Sequence, residues 1–488
     1  MITTDIINKL RTSIGGTVAL PPDTAYQQAI TLDNGRALRE PAAIVFPVNA
    51  HDIAVTLKCA KAHHIPLTVR GGGHSANGYC LNNGGLVLDM SNLVEKHLDA
   101  DKCTLRMQTG LSWLAVYEFL GASSTGLIPV GGACSTVGVG GFMLGGGISF
   151  VSRSLGMAID SLLGLTIVTA DGEIKTLYRN LPMSPEDEDL FWACQGGGGG
   201  NFGIVVEMEI QLHKTNTPTI FSGSFSYPLD KLHEVLGFYN TWISTVPDTL
   251  AVYGYLGMTP PEAGQQVQAL CLTAVFNGSY EEGFALVAPL LALNPIYVNI
   301  YDSSLIDYEV ANGKFTLVEN RSAYIRSAVF MQGALTAEVA DIFKRYMLSA
   351  PSSESFATWM HTGGRIKDKR PDETAYPHRE AEFVFQLKSI WSDPVTAMAN
   401  IAWAYQFVEE LLEHATGGYV NYIDPLLHDW KEQYYCNNIE RLLKVKQQID
   451  PDNQFHFQQS VNSAFNPPVL NFSQPETVDL SPLNRTRS

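Results

Sequence analysis

"TVRGGGHSANGYC", residues 68–80, places a histidine directly after three glycines and an arginine directly before them. Glycine has no β-carbon, so such a run lets backbone approach another group closely and take positive φ. His74 is then held near whatever Gly71, Gly72 and Gly73 approach, with Arg70, Ser75 and Gly78 around it. Read alone, the stretch is also a surface turn, because short motifs match by chance. Two further glycine clusters decide the matter: "GGACSTVGVGGFMLGGG" (131–147) and "QGGGGGNFGIV" (195–205). Loops of this density aim backbone N–H groups at a phosphate or a flat ring.

No cluster continues into Gly-Lys-Ser/Thr, so none is a P-loop. "GVGGFMLG" has a G-x-G-x-x-x-G spacing, but no acidic residue follows about 20 positions on in the expected strand, which disfavours a Rossmann site. A large, flat, pyrophosphate-bearing ligand fits several glycine loops better, and FAD is the natural candidate. Gly138, Gly140, Gly141 and Gly145 in the second cluster, and Asn201, Gly203 and Ile204 in the third, join the first loop as candidate cofactor residues.

Around these clusters, short β-type runs alternate with helices. Strands are expected at 42–48, 65–70 and 85–91, and helices at 50–64 and 111–122. The run 162–177 reads as a hairpin turning at Asp171-Gly172. From about residue 220 glycines thin out, and aromatic and β-branched alternation rises, as in "TIFSGSFSYPL" and "EAEFVFQLKSIW". Helices are expected at 338–349 and 397–415. This texture predicts an antiparallel sheet with helices on one face. Residues 430–451 read as one helix stopped by Pro451.

The 488 residues exceed one simple core, at about 150 residues per domain. A net charge of −17 with no basic cluster argues against nucleic acid. Seven scattered cysteines, with no CxxC pair, form neither a disulfide framework nor a zinc site. No run approaches the ~18–20 apolar residues of a membrane span. The N-terminus reads as a short amphipathic helix with Ile6, Ile7, Leu10 and Ile14 on one side, not as a secretory signal. A cytoplasmic protein is the expectation, with secretion left open. Sequons at Asn277, Asn320, Asn471 and Asn484 decide nothing, and His63, His64, His361 and His378 suggest no metal site.

"VRGGGHS", "GGACSTVGVGGFMLGGG", "RSLGMAIDSLLGLTIVTADG" and "DLFWACQGGGGGNFGIV" occur in that order, followed by "AYPHREAEFVFQLKSIW" and a tail beginning "YVNYIDPLLHDW". Together they resemble the FAD-linked oxidases of the berberine bridge enzyme-like family over essentially the whole chain. The resemblance implies a two-domain α+β fold of the vanillyl-alcohol-oxidase type. Residues 1–215 and 417–488 would build the FAD domain, and 216–416 the substrate domain. It also implies that His74 bonds the flavin 8α position and Cys134 bonds C6, so that FAD is held twice. Without the resemblance, Cys134 reads as a small buried hydrophobe.

In the family the second tyrosine of Y-x-N-Y is the candidate base. Here that is Tyr422, with Tyr419 and Asn421 in support. A free tyrosine has a pKa near 10, so Tyr422 acts only if its surroundings favour phenolate or if hydride leaves first. Where some relatives carry a carboxylate, Gln386 is the polar side chain; it cannot be a base, and Glu380, Glu382 and Asp393 nearby read as solvent-facing. The resemblance makes Val137 the gate for oxygen, in the oxidase pattern. In the same family a glycine is usual where Cys436 stands. These readings imply oxidation of an alcohol or hemiacetal carbon, with O2 as acceptor and hydrogen peroxide as product. A mono- or oligosaccharide is the expected substrate, with Trp359, Trp391 and Tyr324 as stacking surfaces. A tailoring oxidase acting on a polyketide, terpenoid or alkaloid is the alternative, and a flavin-binding protein without turnover is a third reading. A monomer or homodimer is expected, with no nucleic acid or membrane partner.

Overall fold

The structure, a computed structural model, describes residues 2–312 and 321–467. The sequons at Asn320, Asn471 and Asn484 lie outside the described residues. Two sheets carry the glycine loops. The first has four strands in the order Thr17–Ala19, Ala43–Phe46, Leu86–Asp89, Leu67–Arg70. Its last three strands run parallel. The crossover helix Ala50–Ala62 begins at Asn49, whose side chain accepts from Asp52 N, and buries Ile53, Leu57 and Ala60. Those positions are one helical face, as their spacing predicts. The strand Leu67–Arg70 ends where the first glycines begin.

The second sheet is antiparallel, in the order Lys96–Asp99, Thr104–Gln108, Ile204–Gln211, Leu162–Val168, Ile174–Tyr178. The expected hairpin at 162–177 is present, with Gly172 at φ +80° in its turn. The third glycine cluster leads directly into Ile204–Gln211.

The third sheet has seven antiparallel strands: Tyr297–Ser303, Ile220–Pro228, Gln268–Phe276, Leu250–Met258, Phe356–His361, Phe383–Trp391, Ser322–Phe330. Helices Leu232–Trp242, Ala337–Leu348 and Ala397–Leu412 bury one face of it. Alternation sorts the residues. Phe383, Phe385, Leu387 and Trp391 enter the core under the helices. Val384, Gln386 and Lys388 therefore lie on the opposite face, toward the glycine loops.

The segment 430–451 is two helices, not the single one expected. Trp430–Tyr435 ends at Cys436, whose φ is +44° and ψ −132°, and a second helix runs Ile439–Ile449. That backbone cannot continue a right-handed helix. Asn438 past the break donates to Pro371 O at 2.7 Å and Thr374 O at 3.1 Å, fixing the bend against a neighbouring loop. Among the described residues, no helix is long and apolar enough to cross a membrane, and no cluster of His, Cys, Asp and Glu could hold a metal.

Candidate active site

The first two glycine loops lie back to back. A β-carbon on Gly72 would stand 2.4 Å from Gly138 N, and one on Gly138 would stand 2.5 Å from Gly72 N. Both positions therefore require glycine on steric grounds. This contact brings the side chains after each loop together. Thr136 Oγ1 lies 3.0 Å from His74 Nε2 and 3.5 Å from Cys134 Sγ. Burial pushes the His74 pKa below its ordinary value, so the ring is neutral at neutral pH. Asp33 Oδ2 stands 4.0 Å from His74 Nδ1.

Arg70 folds beneath its loop. Its Nη1 donates to buried Asp89 at 2.9 Å, and its Nη2 lies 3.0 Å from where a Gly73 β-carbon would be. Ser75 Oγ accepts from Tyr79 N at 3.0 Å, closing the turn that ends at Gly78. Gly71 and Gly141 face space: the nearest atom to a Gly71 β-carbon is 3.8 Å away, and nothing lies within 4 Å of one at Gly141. Gly140 packs on Thr109. Val137 N donates to Cys134 O at 3.1 Å, so Val137 closes the turn that presents the thiol.

The Y-x-N-Y segment reaches the same place from the far end of the chain. Gly147 N and Asn421 Nδ2 both donate to Tyr419 Oη, at 2.9 and 3.0 Å. Asn421 Nδ2 also donates to Phe142 O at 3.0 Å, and its side chain fills the space a Gly145 β-carbon would need. Burial raises the Tyr419 phenol to about 12. Tyr422 packs edge-on against Tyr419 with ring centroids 5.2 Å apart, and its hydroxyl lies 3.8 Å from Met360 Sδ. Burial, with the Tyr419 and Cys134 charges adding to it, raises the Tyr422 phenol well above its ordinary value. Tyr422 is therefore a neutral phenol at physiological pH.

The seven-stranded sheet faces this cluster with a row of directly paired polar residues. Tyr297, Ser226, Cys271, Tyr255, Thr358, Gln386 and Ser327 are successive cross-strand partners through all seven strands. Tyr253, on the same strand as Tyr255, has a buried hydroxyl without a hydrogen-bond partner and lies within electrostatic range of Tyr422.

The remaining expected residues are placed otherwise. Asn201 is committed to protein: its amide donates to Gly197 O at 3.2 Å and its carbonyl accepts from Val461 N at 3.0 Å. Gly203 packs against Ile167, and Ile204 is buried in a core beneath the sheets. The stacking role expected of Trp359, Trp391 and Tyr324 is corrected. All three lie in the core under the helices, because their strand parity points them away from the site. Trp359 stacks on Phe343 there. Glu382 is also corrected. It is buried and paired with His361 at 3.1 Å and Lys367 at 3.2 Å, whereas Glu380 and Asp393 are exposed. Thr136 and Asp33 were missed. Thr136 sits within the quoted glycine motif, but Asp33 has no local signal.

The residues fit FAD. Two glycine-framed loops open onto space at Gly71 and Gly141, and an imidazole and a thiol converge beside them. A family model described as an FAD binding domain matches residues 41–178, and one described as berberine and berberine like matches residues 418–462. The chain is 30% identical over 452 residues to the FAD-linked oxidoreductase YgaK of Bacillus subtilis, covering 92% of this chain and 98% of that one. The solved BBE-like 1 of Physcomitrella patens superposes with a TM-score of 0.84 at 24% identity, over 93% of this chain and 98% of that one. A chitooligosaccharide oxidase superposes at 0.79 with 21% identity, over 95% of this chain and 100% of that one. The protein belongs to the berberine bridge enzyme-like FAD-linked oxidoreductases, with the α+β fold of that group.

Proposed function

We propose that the protein is an oxidase of alcohol or hemiacetal carbons in a mono- or oligosaccharide, with FAD held by both His74 and Cys134. The observation that carries the sugar reading is the polar row facing the loops. Tyr255, Thr358 and Gln386, half-buried on three adjacent strands, offer two hydroxyls and an amide, a surface suited to a ligand with many hydroxyl groups. The Tyr255 and Phe356 rings, 5.2 Å apart on that face, supply the apolar contact that the buried tryptophans do not. The solved relative titled chitooligosaccharide oxidase is in keeping with this reading.

When bound, FAD supplies the hydride acceptor, and dioxygen takes the two electrons to give hydrogen peroxide. Tyr422 orients the substrate hydroxyl. No cation contributes to its shift, so phenolate is not its resting form; the phenol passes its own proton to solvent as it takes the substrate hydroxyl proton, in step with the departure of hydride. Tyr419 and Asn421 hold the turn that presents it. Gln386 accepts or donates a hydrogen bond to a neighbouring hydroxyl and moves no proton. Val137, beside the thiol, governs the approach of oxygen.

The test is a peroxide-coupled assay of the purified protein against glucose, cellobiose, chitooligosaccharides and a panel of phenolic and terpenoid alcohols. Peroxide formed with sugars, and abolished by boiling, supports the proposal. Turnover confined to the natural-product alcohols would replace the substrate, and no turnover with any would leave a flavin-binding protein.

A further inference from the structure

Residues 31–36 tie the His74 loop to the substrate domain. Thr31 O accepts from Arg70 Nη2 at 3.5 Å, and Asp33 N donates to Gly73 O at 3.3 Å. Asn34 Nδ2 donates to Ala76 O at 2.6 Å and to Ala323 O at 2.8 Å, while its Oδ1 accepts from Ala323 N at 2.8 Å. Gly35 N donates to Arg321 O at 2.9 Å. The Asp33 carboxylate between these anchors has two neighbours. One is His74 Nδ1 at 4.0 Å; the other is Lys388 Nζ at 3.5 Å, reaching from the strand that carries Gln386. The charged groups facing His74 are therefore Asp33, Lys388 and Arg70, and Arg70 is already paired with Asp89.

We propose that Asp33 is a positioning residue for flavin attachment: it orients the His74 ring and stabilises the positive charge the ring carries while its bond to FAD forms. Lys388 braces Asp33, so that this arrangement is complete only when the substrate domain is docked. The inference rests on the reading that His74 bonds the cofactor. In the net reaction an imidazole N–H and a flavin methyl C–H are lost and one N–C bond forms. The two electrons and two protons pass to dioxygen, giving hydrogen peroxide. A neutral imidazole that bonds carbon through one nitrogen is cationic until the proton on the other leaves. Burial makes that charge unfavourable at His74, and the Asp33 carboxylate offsets it.

The experiment uses Cys134→Ala protein as expressed, in which His74 makes the one remaining bond, with and without Asp33→Asn or Asp33→Glu. Total flavin is read from the visible absorbance of native protein, and bonded flavin from the fraction kept after acid precipitation. The expected result is unchanged total flavin, with a bonded fraction at least about fivefold lower in Asp33→Asn, as for loss of one unit-charge attraction across about 4 Å, and restored in Asp33→Glu. An equal bonded fraction with Asp33→Asn overturns this inference and leaves the His74 bond standing. Loss of total and bonded flavin in proportion also overturns it, because Asp33 would then serve the fold alone. Absence of bonded flavin already in Cys134→Ala overturns the His74 reading itself and this inference with it.

Discussion

Cys134 and His74 lie on either side of one hydroxyl: Thr136 Oγ1 is 3.5 Å from the thiol sulfur and 3.0 Å from the imidazole nitrogen. The two side chains come from loops 60 residues apart, 134 − 74. They meet because Gly72 and Gly138 allow backbone to touch backbone. Thr136→Val keeps the shape and removes the hydroxyl. The bonded flavin fraction is expected to fall roughly fivefold, the equivalent of about 1 kcal/mol for one hydrogen bond. Acid precipitation reads this directly, and an unchanged fraction would separate the hydroxyl from attachment.

Tyr422→Phe removes the proposed proton acceptor and leaves the ring packed edge-on against Tyr419. Turnover is expected to fall about 10²- to 10⁴-fold, the usual contribution of a general base. KM and the flavin spectrum should change little. A loss confined to KM would make Tyr422 a binding residue.

Glu309 is 1% exposed, and neither carboxyl oxygen has a hydrogen-bond partner. Burial raises its pKa well above the ordinary value, and its electrostatic neighbours are Tyr117, Tyr253 and Tyr308. The folded chain thus keeps a proton that the unfolded chain releases above roughly pH 4.3. Above that pH the folded state binds more protons, so stability falls as pH rises toward the folded value. Glu309→Gln removes this dependence. At pH 7 the variant is expected to be the more stable of the two, with the gap closing near pH 4. Denaturant unfolding at the two pH values measures it, and a wild type as stable as the variant at pH 7 would refute it.

Arg326 lies fully buried behind the seven-stranded sheet and donates to Asp424 at 2.6 Å, two residues past Tyr422. Tyr324 donates to the other oxygen of Asp424 at 2.8 Å. Removing one partner of a buried pair leaves an uncompensated charge, so Arg326→Leu should cost about 3–5 kcal/mol. It should also loosen the Tyr422 turn. Unfolding and turnover measured on the same preparation test both effects, and a neutral substitution would show that Asp424 is held by its other donors.

Much of this was legible in the sequence. The apolar spacing of 50–62 and the alternation of 383–391 follow from burying one face, and the structure has both elements. The glycine cluster is a local pattern that draws attention to His74, whereas Cys134 and Tyr422 are singled out by the resemblance to the berberine bridge enzyme-like family; the structure brings His74 and Cys134 to one hydroxyl. What failed was geometry between distant segments. Parity, set by pairing with Phe356–His361 and Ser322–Phe330, turned Trp391 inward. A positive φ at Cys436 broke a helix that composition alone would continue. Buried Glu382 and the approach of Asp33 to His74 depend on contacts between segments distant in the chain, which no window of sequence displays.

Flavin retention after acid precipitation of wild type, His74→Ala, Cys134→Ala and the double variant tests the central claim most directly. The expected result is flavin in the pellet for wild type and for each single variant, and none for the double. Flavin that washes out of the wild type would contradict attachment through His74 and Cys134.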